Sequence, residues 1–409
     1  MQSNEFEYIL SNDKIARHPV SPRRSAKLLR VTSTGELMHG SFEDLPQYLH
    51  EMNCDGLWAN ETKVLQARLY LRKPSGGRLE IFILEPVEGL VELALSACDE
   101  SSWTCLIRGG RKWTSGTASL NLEGISLVAT PINPEVGLVR EESGAFKLTF
   151  KWSGVKSFGE VLETLGRTPL PPYMQRESDE ADKKQYQTVF ARLKGSVAAP
   201  TAGLHYDEVL LNELESTGFL LNRLTLHVGA GTFRPLSEGD ISSHVMHEER
   251  CIITKSSLEK LANTKRRVAT GTTTLRTLES LYWMAVVHKE TGKFPRVIPQ
   301  WTPYKAGQYH SRLTDFENYE QAITYLLEHV SFDPIDLTWN FQTQIMIRPG
   351  YKIQSIIALV TNFHQPGSSL LCLIAACLDI PWKEVYEQAL AQDYRFLSYG
   401  DGCLFELNQ

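Results

Sequence analysis

Two neighbouring segments, Tyr186-Gln-Thr-Val-Phe-Ala191 and Gly195-Ser-Val-Ala-Ala-Pro-Thr-Ala-Gly-Leu-His205, combine small, hydroxyl and turn-forming residues and end on a histidine. Three more histidines stand in comparable company. His227 precedes Gly229-Ala-Gly231, His247 is followed by Glu248, and His364 lies in Thr361-Asn-Phe-His-Gln-Pro-Gly367. A single histidine in a turn is more often structural than functional, but four at expected strand ends or turns favour a shared pocket. Imidazole titrates near neutrality, so such a pocket suits proton transfer. His244 and His247, three apart with Glu248 alongside, have a spacing that one helical turn could present to a metal. The order matches neither His-Glu-x-x-His nor His-x-x-Glu-His, so an acid/base or substrate-orienting pair is preferred and no metal is expected. Arg276 and Glu279, on an expected helix after Gly271, either face that pocket or pair with each other.

Other chemistries fit poorly. Gly229-Ala-Gly231 could belong to the nucleotide loop of a methyltransferase, but such a loop should open a helix, and Phe233-Arg-Pro235 discourages one. Neither a Gly-x-Ser-x-Gly elbow nor a Gly-x-x-x-x-Gly-Lys-Ser/Thr loop occurs, which removes the α/β-hydrolase and P-loop readings.

The elements that must hold these residues change character along the chain. From about Leu79 to Trp152 short alternating segments, among them Leu79–Leu84, Leu90–Leu95 and Phe146–Phe150, are separated by turn residues and read as strands. Beyond Pro172 strands alternate with helical stretches, the mark of an α/β layer. The expected fold is an α/β main domain, 1–61 and 153–409, with an inserted small all-β (barrel-like) domain at 62–152. Residues of about 290–342 read as an acidic insertion, with Asp315, Glu317, Glu320, Glu328, Asp333 and Asp336 and a helix marked by Ile323, Leu326, Leu327 and Val330.

Three junctions in the second half lead into helix starts. Asp207 can cap a helix with Leu210, Leu211 and Leu214 on its apolar face, and Gly218 lies past its end. Arg267–Thr270 reads as a strand and Gly271 as a turn. Thr272, Thr273 and Thr274 then cap a helix whose buried face is Leu275, Leu278, Tyr282, Ala285 and Val286. Ile356–Val360 reads as a strand feeding the His364 turn and a helix from Ser368. Strand ends that feed helix starts are where α/β folds hold ligands. Phe219–Val228 alternates as a strand, with Arg223, Thr225 and His227 on its more polar face.

The 409 residues suggest two domains, and 42% apolar with 22% charged residues is the balance of a globular protein. No apolar run reaches bilayer-spanning length, and the N-terminus lacks the features of a secretion signal. Seven scattered cysteines without a Cys-x-x-Cys pair fit a reducing compartment, so a cytoplasmic protein with no membrane contact is expected. The net charge of −6 gives no global sign of nucleic acid. Two acid-free stretches stand out, one with Lys14, Arg17, Arg23, Arg24, Lys27 and Arg30, the other with Lys63, Arg68, Arg72, Lys73 and Arg78. Arg108, Arg111 and Lys112 follow. On charge alone, solvated faces are the favoured reading.

Long motifs in a fixed order nonetheless resemble the S-adenosylmethionine:tRNA ribosyltransferase-isomerase family of the queuosine pathway. They include Ile15-Ala-Arg-His-Pro19, Arg24-Ser-Ala-Lys-Leu28, Asn60-Glu-Thr-Lys-Val64, Pro169-Leu-Pro-Pro-Tyr173 and Gly195 to His205. Leu224 to Pro235, Met246-His-Glu248, Gly271 to Glu279, Pro349-Gly-Tyr351, Thr361-Asn-Phe-His364 and Tyr394 to Asp401 continue the series. The resemblance implies an α/β domain bearing a β-barrel insert and an enzyme that uses S-adenosylmethionine as a ribosyl donor. The ribosyl carbons pass to the amine of 7-aminomethyl-7-deazaguanine in the tRNA anticodon loop, giving epoxyqueuosine and releasing adenine and methionine.

That chemistry needs a base for the C5′ proton, a proton donor for departing adenine and deprotonation of the attacking amine. The resemblance accordingly implies His247 or Glu248 as the C5′ base and His227 or His205 at adenine departure. Thr201, Gly203, Gly229, Gly231, Thr232, Gly271, Thr272, Thr273 and His364 become candidates for contact with S-adenosylmethionine. Arg17, Arg23, Arg24, Lys63, Arg68, Arg72 and Lys73 become candidate tRNA phosphate contacts, reversing the reading from charge alone. A monomer is expected. The chain departs from the family pattern at Glu61 (usually Asp), Thr274 (usually Ser), Gln344 (usually Asp) and Gly367 (usually Lys). A paralogue acting on another acceptor, or a non-catalytic tRNA-binding relative, is the competing reading, and whether adenine is released at all sets the non-catalytic relative apart.

Overall fold

A computed structural model describes residues 1–408 apart from 111, 112, 114, 115, 134, 142, 143, 230, 232–234 and 305–315. In chain order the strands are β1 (Lys27–Val31), β2 (Leu37–Ser41), β3 (Gly56–Asn60), β4 (Thr62–Val64), β5 (Arg68–Arg72), β6 (Arg78–Pro86), β7 (Glu100–Arg108), β8 (Ala118–Leu122) and β9 (Ile125–Pro131). There follow β10 (Phe146–Ser153), β11 (Leu193–Ser196), β12 (Leu220–His227), β13 (Glu249–Thr254), β14 (Arg267–Thr270), β15 (Val297–Ile298), β16 (Thr338–Thr343), β17 (Ala358–Asn362) and β18 (Gly402–Glu406). The chain divides into two compact units, 1–62 with 188–192 and 200–409, and 63–187 with 193–199.

The first unit is built on a mixed sheet in the order β15-β16-β13-β12-β3-β14-β17-β18-β1-β2. Its middle four strands, β12, β3, β14 and β17, run parallel, so their carboxyl ends lie side by side. Every residue of β3, β14 and β17 is buried, as expected of parallel strands covered on both faces. The helix Glu208–Ser216 starts as its sequence predicts, with Asp207 accepting from the Leu210 amide and Leu210, Leu211 and Leu214 buried. Gly218 closes it at a φ of 89°.

The helix Thr272–Thr291 departs from expectation. It is buried from Thr272 to Val287 rather than along one face, and its N-cap is Gly271, with no side-chain cap from the threonines. Thr274, Thr277 and Ser280 instead donate to the carbonyls of Thr270, Thr273 and Arg276 at 2.7, 3.0 and 2.6 Å, which lets hydroxyls sit in a dry interior. Arg276 and Glu279 do not pair with each other. Arg276 bonds Glu249 and the Ile345 carbonyl, while Glu279 accepts from Tyr351, the amides of Gln354 and Ser355 and the Ser355 hydroxyl.

Residues of about 290–342, read as an insertion, take part in the sheet of the first unit. They supply the edge strand β15, most of its neighbour β16 and the helix Tyr319–His329, capped by Asn318, with Ile323 and Leu326 buried. Asp315 falls outside the described residues.

The second unit contains a closed antiparallel barrel, β10-β7-β6-β5-β8-β9. Alternate side chains fill it, among them Leu79, Ile81 and Ile83 of β6, Trp103 and Cys105 of β7, and Leu148 and Phe150 of β10. The unit reaches Gln187, past the expected boundary at 152. The helix Phe158–Leu165, begun by a Ser157–Glu160 capping box, joins the barrel through Phe158, whose ring packs against Trp103, Phe150 and Trp152. Leu90–Leu95, read as a strand, lies in a short helix, Val91–Ser96. Val91 and Leu95 are buried one turn apart and Leu93 faces out, a three-to-four residue spacing too short to distinguish from alternation in sequence.

Candidate functional site

The carboxyl ends of β12, β3, β14 and β17 carry His227, Asn60, Thr270 and Asn362, and the turns beyond them carry most of the candidate residues. Along the chain these strands are first β3, then β12, β14 and β17, so connections leave β3 toward opposite sides of the sheet. In open α/β sheets ligands sit outside such a reversal.

At the β12–β3 side, Asn60 donates to the Leu226 carbonyl at 2.8 Å and accepts from the amides of Leu226 and Thr62, both at 3.1 Å. That clamp places the Thr62 hydroxyl 3.1 Å from Nδ1 of His227, which is 9% exposed. Glu61, between them, accepts from Thr225 at 3.4 Å. Burial pushes its carboxyl up, against the opposing pull of Arg192 and Arg223.

At the β14 side, Gly271 has a φ of 91°, a conformation that favours glycine. A β-carbon there would stand 3.6 Å from the Thr273 hydroxyl and 3.7 Å from Ala202. A β-carbon on Gly203 would come within 2.9 Å of the Thr188 methyl, so packing on Thr188 already requires that glycine. The hydroxyls of Thr188 and Thr273 are buried without a hydrogen-bond partner among the described residues. Two orphaned hydroxyls beside Gly203 and Gly271 fit a ligand rich in oxygen and nitrogen. Thr201 opens the 3₁₀ turn that holds Gly203 and His205, and Thr272 is buried in the first turn of its helix.

His205 and His364 lie deeper. The His205 ring stacks on Phe42 at 4.2 Å, and its Nε2 lies 2.9 Å from the Asn362 side-chain nitrogen. That nitrogen also donates to the Leu397 carbonyl, so Nε2 of His205 is the acceptor. Burial pushes His205 down to about 3, helped by Arg395 and Arg23, and burial pushes His364 to about 3 as well. His364 Nε2 faces the Thr361 hydroxyl at 3.0 Å, and its backbone is tied to Tyr386 and Tyr8. Both rings are therefore neutral at physiological pH.

His247 and Glu248 are exposed. They do not sit on a helical turn. Residues 244–248 form an irregular strap between the 3₁₀ turn Ile241–Ser243 and β13. Gln300 grips the strap at both ends of Val245, donating to the His244 carbonyl at 2.7 Å and accepting from the Met246 amide at 3.0 Å. Gln344 donates to the Met246 carbonyl at 3.3 Å and reaches Glu248 Oε1 at 3.5 Å. His244 accepts from the Ser237 amide at 3.2 Å, and burial pushes its imidazole down. Gly231 approaches the His247 ring so closely that a β-carbon would lie 2.0 Å from Cδ2, whereas a β-carbon on Gly229 would have nothing within 4 Å among the described residues. Thr232 lies outside the described residues. No group of three or more acidic, histidine or cysteine side chains suited to a metal occurs among the described residues.

Asn60, Thr62, Thr188, Gln300, Gln344 and Asn362 are not legible in the sequence as site residues. Asn60, Thr62 and Asn362 belong to the family motifs, but their roles depend on partners more than 150 residues away.

The acid-free stretches fold against acids from elsewhere. Arg24 bonds Glu43 at 3.3 Å and Asp207 at 2.8 Å, Lys14 bonds Asp393, and Arg30 bonds Glu51 and Glu406. Arg68 pairs with Glu80, and Lys73 donates to the Gly109 carbonyl at 3.0 Å. Arg72 is exposed, and Arg17 and Arg23 also have partners. Arg111 and Lys112 lie outside the described residues.

Comparison with known proteins agrees with the motif order. The profile of a family described as Queuosine biosynthesis protein matches residues 3–405. The chain is 34% identical over 410 residues to an S-adenosylmethionine:tRNA ribosyltransferase-isomerase of Thermotoga petrophila, covering 99% of both chains. It is 35% identical over 412 residues to one of Symbiobacterium thermophilum, again covering 99% of both. A crystal structure of S-adenosylmethionine tRNA ribosyltransferase from Thermotoga maritima is 26% identical, with a TM-score of 0.44 and coverage of 98% of this chain and 99% of that one.

Proposed function

The chain belongs to the queuosine biosynthesis protein family, and from that membership we propose that it is an S-adenosylmethionine-dependent tRNA ribosyltransferase-isomerase. It transfers and isomerises the ribosyl moiety of S-adenosylmethionine onto 7-aminomethyl-7-deazaguanine in tRNA, forming epoxyqueuosine and releasing adenine and methionine. The acceptor nucleotide lies in the anticodon loop and enters the site unstacked, as single-stranded RNA bases can. The cytoplasm supplies both substrates.

The observation that carries the reading is the gathering of Thr62–His227, Gly271–Thr273 and Asn362–His364 at the ends of four parallel strands in a chain that matches the family throughout. S-adenosylmethionine supplies a sulfonium that acidifies the adjacent C5′ protons. Thr188 and Thr273 offer it unshared hydroxyls, and Gly271 shapes the turn beside them. His247 or Glu248 takes the C5′ proton, since both are exposed and the strap that bears them is braced by Gln300 and Gln344. His227, oriented by Thr62, assists adenine departure. His205 is too firmly neutral to be the donor of that proton as an imidazolium, and positions Asn362 instead.

The test is mass spectrometry of nucleosides from tRNA carrying 7-aminomethyl-7-deazaguanine after incubation with protein and S-adenosylmethionine, with free adenine measured in parallel. Epoxyqueuosine and adenine in equal amounts support the reading. Folded protein that yields neither product sinks it and favours a repurposed paralogue.

A further inference from the structure

A cavity of roughly 260 Å³ in the second unit is lined by Lys63, Lys183 and Lys194, together with Glu163, Gln187 and Leu162. The three lysines come from three segments, β4, the short helix Asp182–Gln185 and β11. Two of these segments are held in register by Gln187, whose amide accepts from the Val64 nitrogen at 3.0 Å and donates to the Val64 carbonyl at 2.7 Å. Three cations therefore face a single lining carboxylate.

Their existing contacts are weak. Lys194 meets Glu163 at 2.6 Å with side chains 41% and 52% exposed, and Lys183 meets Glu180 at 3.1 Å with side chains 38% and 82% exposed. Exposed pairs of this kind contribute little to stability and exchange readily for another anion. Lys63 has no ion pair among the described residues. The contrast is with Arg30 and Arg68, which pair with the largely buried Glu406 and Glu80.

We propose that this lysine-lined cavity binds the phosphodiester backbone of the tRNA substrate. The proposal rests on the reaction proposed for this chain, which has tRNA as its acceptor, and locates one point where that tRNA is held. An anionic, strongly hydrated group suits ammonium donors that converge as point charges.

The experiment measures tRNA dissociation constants from about 50 to about 200 mM salt for the full chain and for a triple variant, Lys63→Gln, Lys183→Gln and Lys194→Gln. The slope of log K against log salt should become shallower by about 2, near 0.7 to 0.9 for each phosphate that is no longer neutralised. The tRNA KM should rise about tenfold or more, with the KM for S-adenosylmethionine unchanged. Glu163→Gln, which removes the lining carboxylate, should tighten tRNA binding, an effect that misfolding would not produce. An unchanged slope in the folded triple variant overturns the proposal, as does Glu163→Gln with unaltered affinity. If inorganic phosphate binds the native protein and not the triple variant while their tRNA slopes coincide, the cavity holds a free anion and the proposal is wrong. Because the readout is binding, a native protein that binds tRNA with the expected slope but makes no epoxyqueuosine defeats the proposed reaction and leaves this site standing.

Discussion

Gly231 lies against the imidazole of His247 with no space for even a methyl group, since a β-carbon would stand 2.0 Å from Cδ2. Gly231→Ala must displace either the ring or the turn. If His247 works on the C5′ proton, a shift of about 1 Å should lower kcat by about 100-fold, with little change in Tm because the site is only partly buried. A β-carbon on Gly229 has no described residue within 4 Å, so Gly229→Ala should act on the KM for S-adenosylmethionine more than on kcat. Equal kcat in the Gly231→Ala variant and the native enzyme would remove His247 from the reaction.

The strap is held by two glutamines. Gln300→Leu removes both bonds to residues 244 and 246, each worth about 1 kcal/mol, and should reduce kcat more than it raises the tRNA KM. Gln344→Glu brings a second carboxylate beside Glu248 Oε1, now 3.5 Å from the Gln344 amide. Two carboxylates at contact cannot both ionise easily, so the acidic limb of the kcat profile should move to higher pH. A profile that stays in place would show that Glu248 does not act as a base.

Thr188 and Thr273 each bury a hydroxyl without a partner among the described residues. Replacing either with valine removes an unmet hydrogen bond, so chemical denaturation should show equal or higher stability. The KM for S-adenosylmethionine should rise about tenfold, corresponding to about 1.4 kcal/mol of binding free energy. Opposite signs for stability and binding separate a ligand contact from a packing role, and an unchanged KM would assign these hydroxyls to packing.

Burial holds His205 and His364 near 3, against about 6.5 in an unfolded chain. Between those values the unfolded chain binds more protons, so stability is complete above about pH 6.5 and declines as pH falls toward about 3. Each histidine contributes up to about 1.4 kcal/mol per pH unit in that window. Urea midpoints of His364→Asn should therefore depend less steeply on pH between about 4 and about 6 than those of the native protein. Parallel curves would show that His364 accepts a proton in the folded state.

Much of the local structure is legible in the sequence because it depends on contiguous residues. Asp207 followed by Leu210, Leu211 and Leu214 specifies a capped amphipathic helix, and a glycine at 271 permits a φ of 91° wherever the strand before it lies. Alternation in β6, β7 and β10 likewise announces a barrel, since strand pleating places every second side chain inside. Short segments are less secure. Val91–Ser96 shows that six residues can satisfy two periodicities at once.

By itself, then, the sequence determined the α/β layer and the barrel, the Asp207 cap and the Gly271 turn, and the motif order that identifies the family, but not the cap of the helix Thr272–Thr291 or the helix Val91–Ser96. Only the tertiary structure decided who meets whom: Thr62 with His227, Asn362 with His205, Arg276 with Glu249 rather than Glu279, and Gln300 with the strap bearing His247. The physical reason is that backbone preference and periodicity act over a few residues, whereas these contacts depend on the spatial order β12-β3-β14-β17, which differs from the order of the chain.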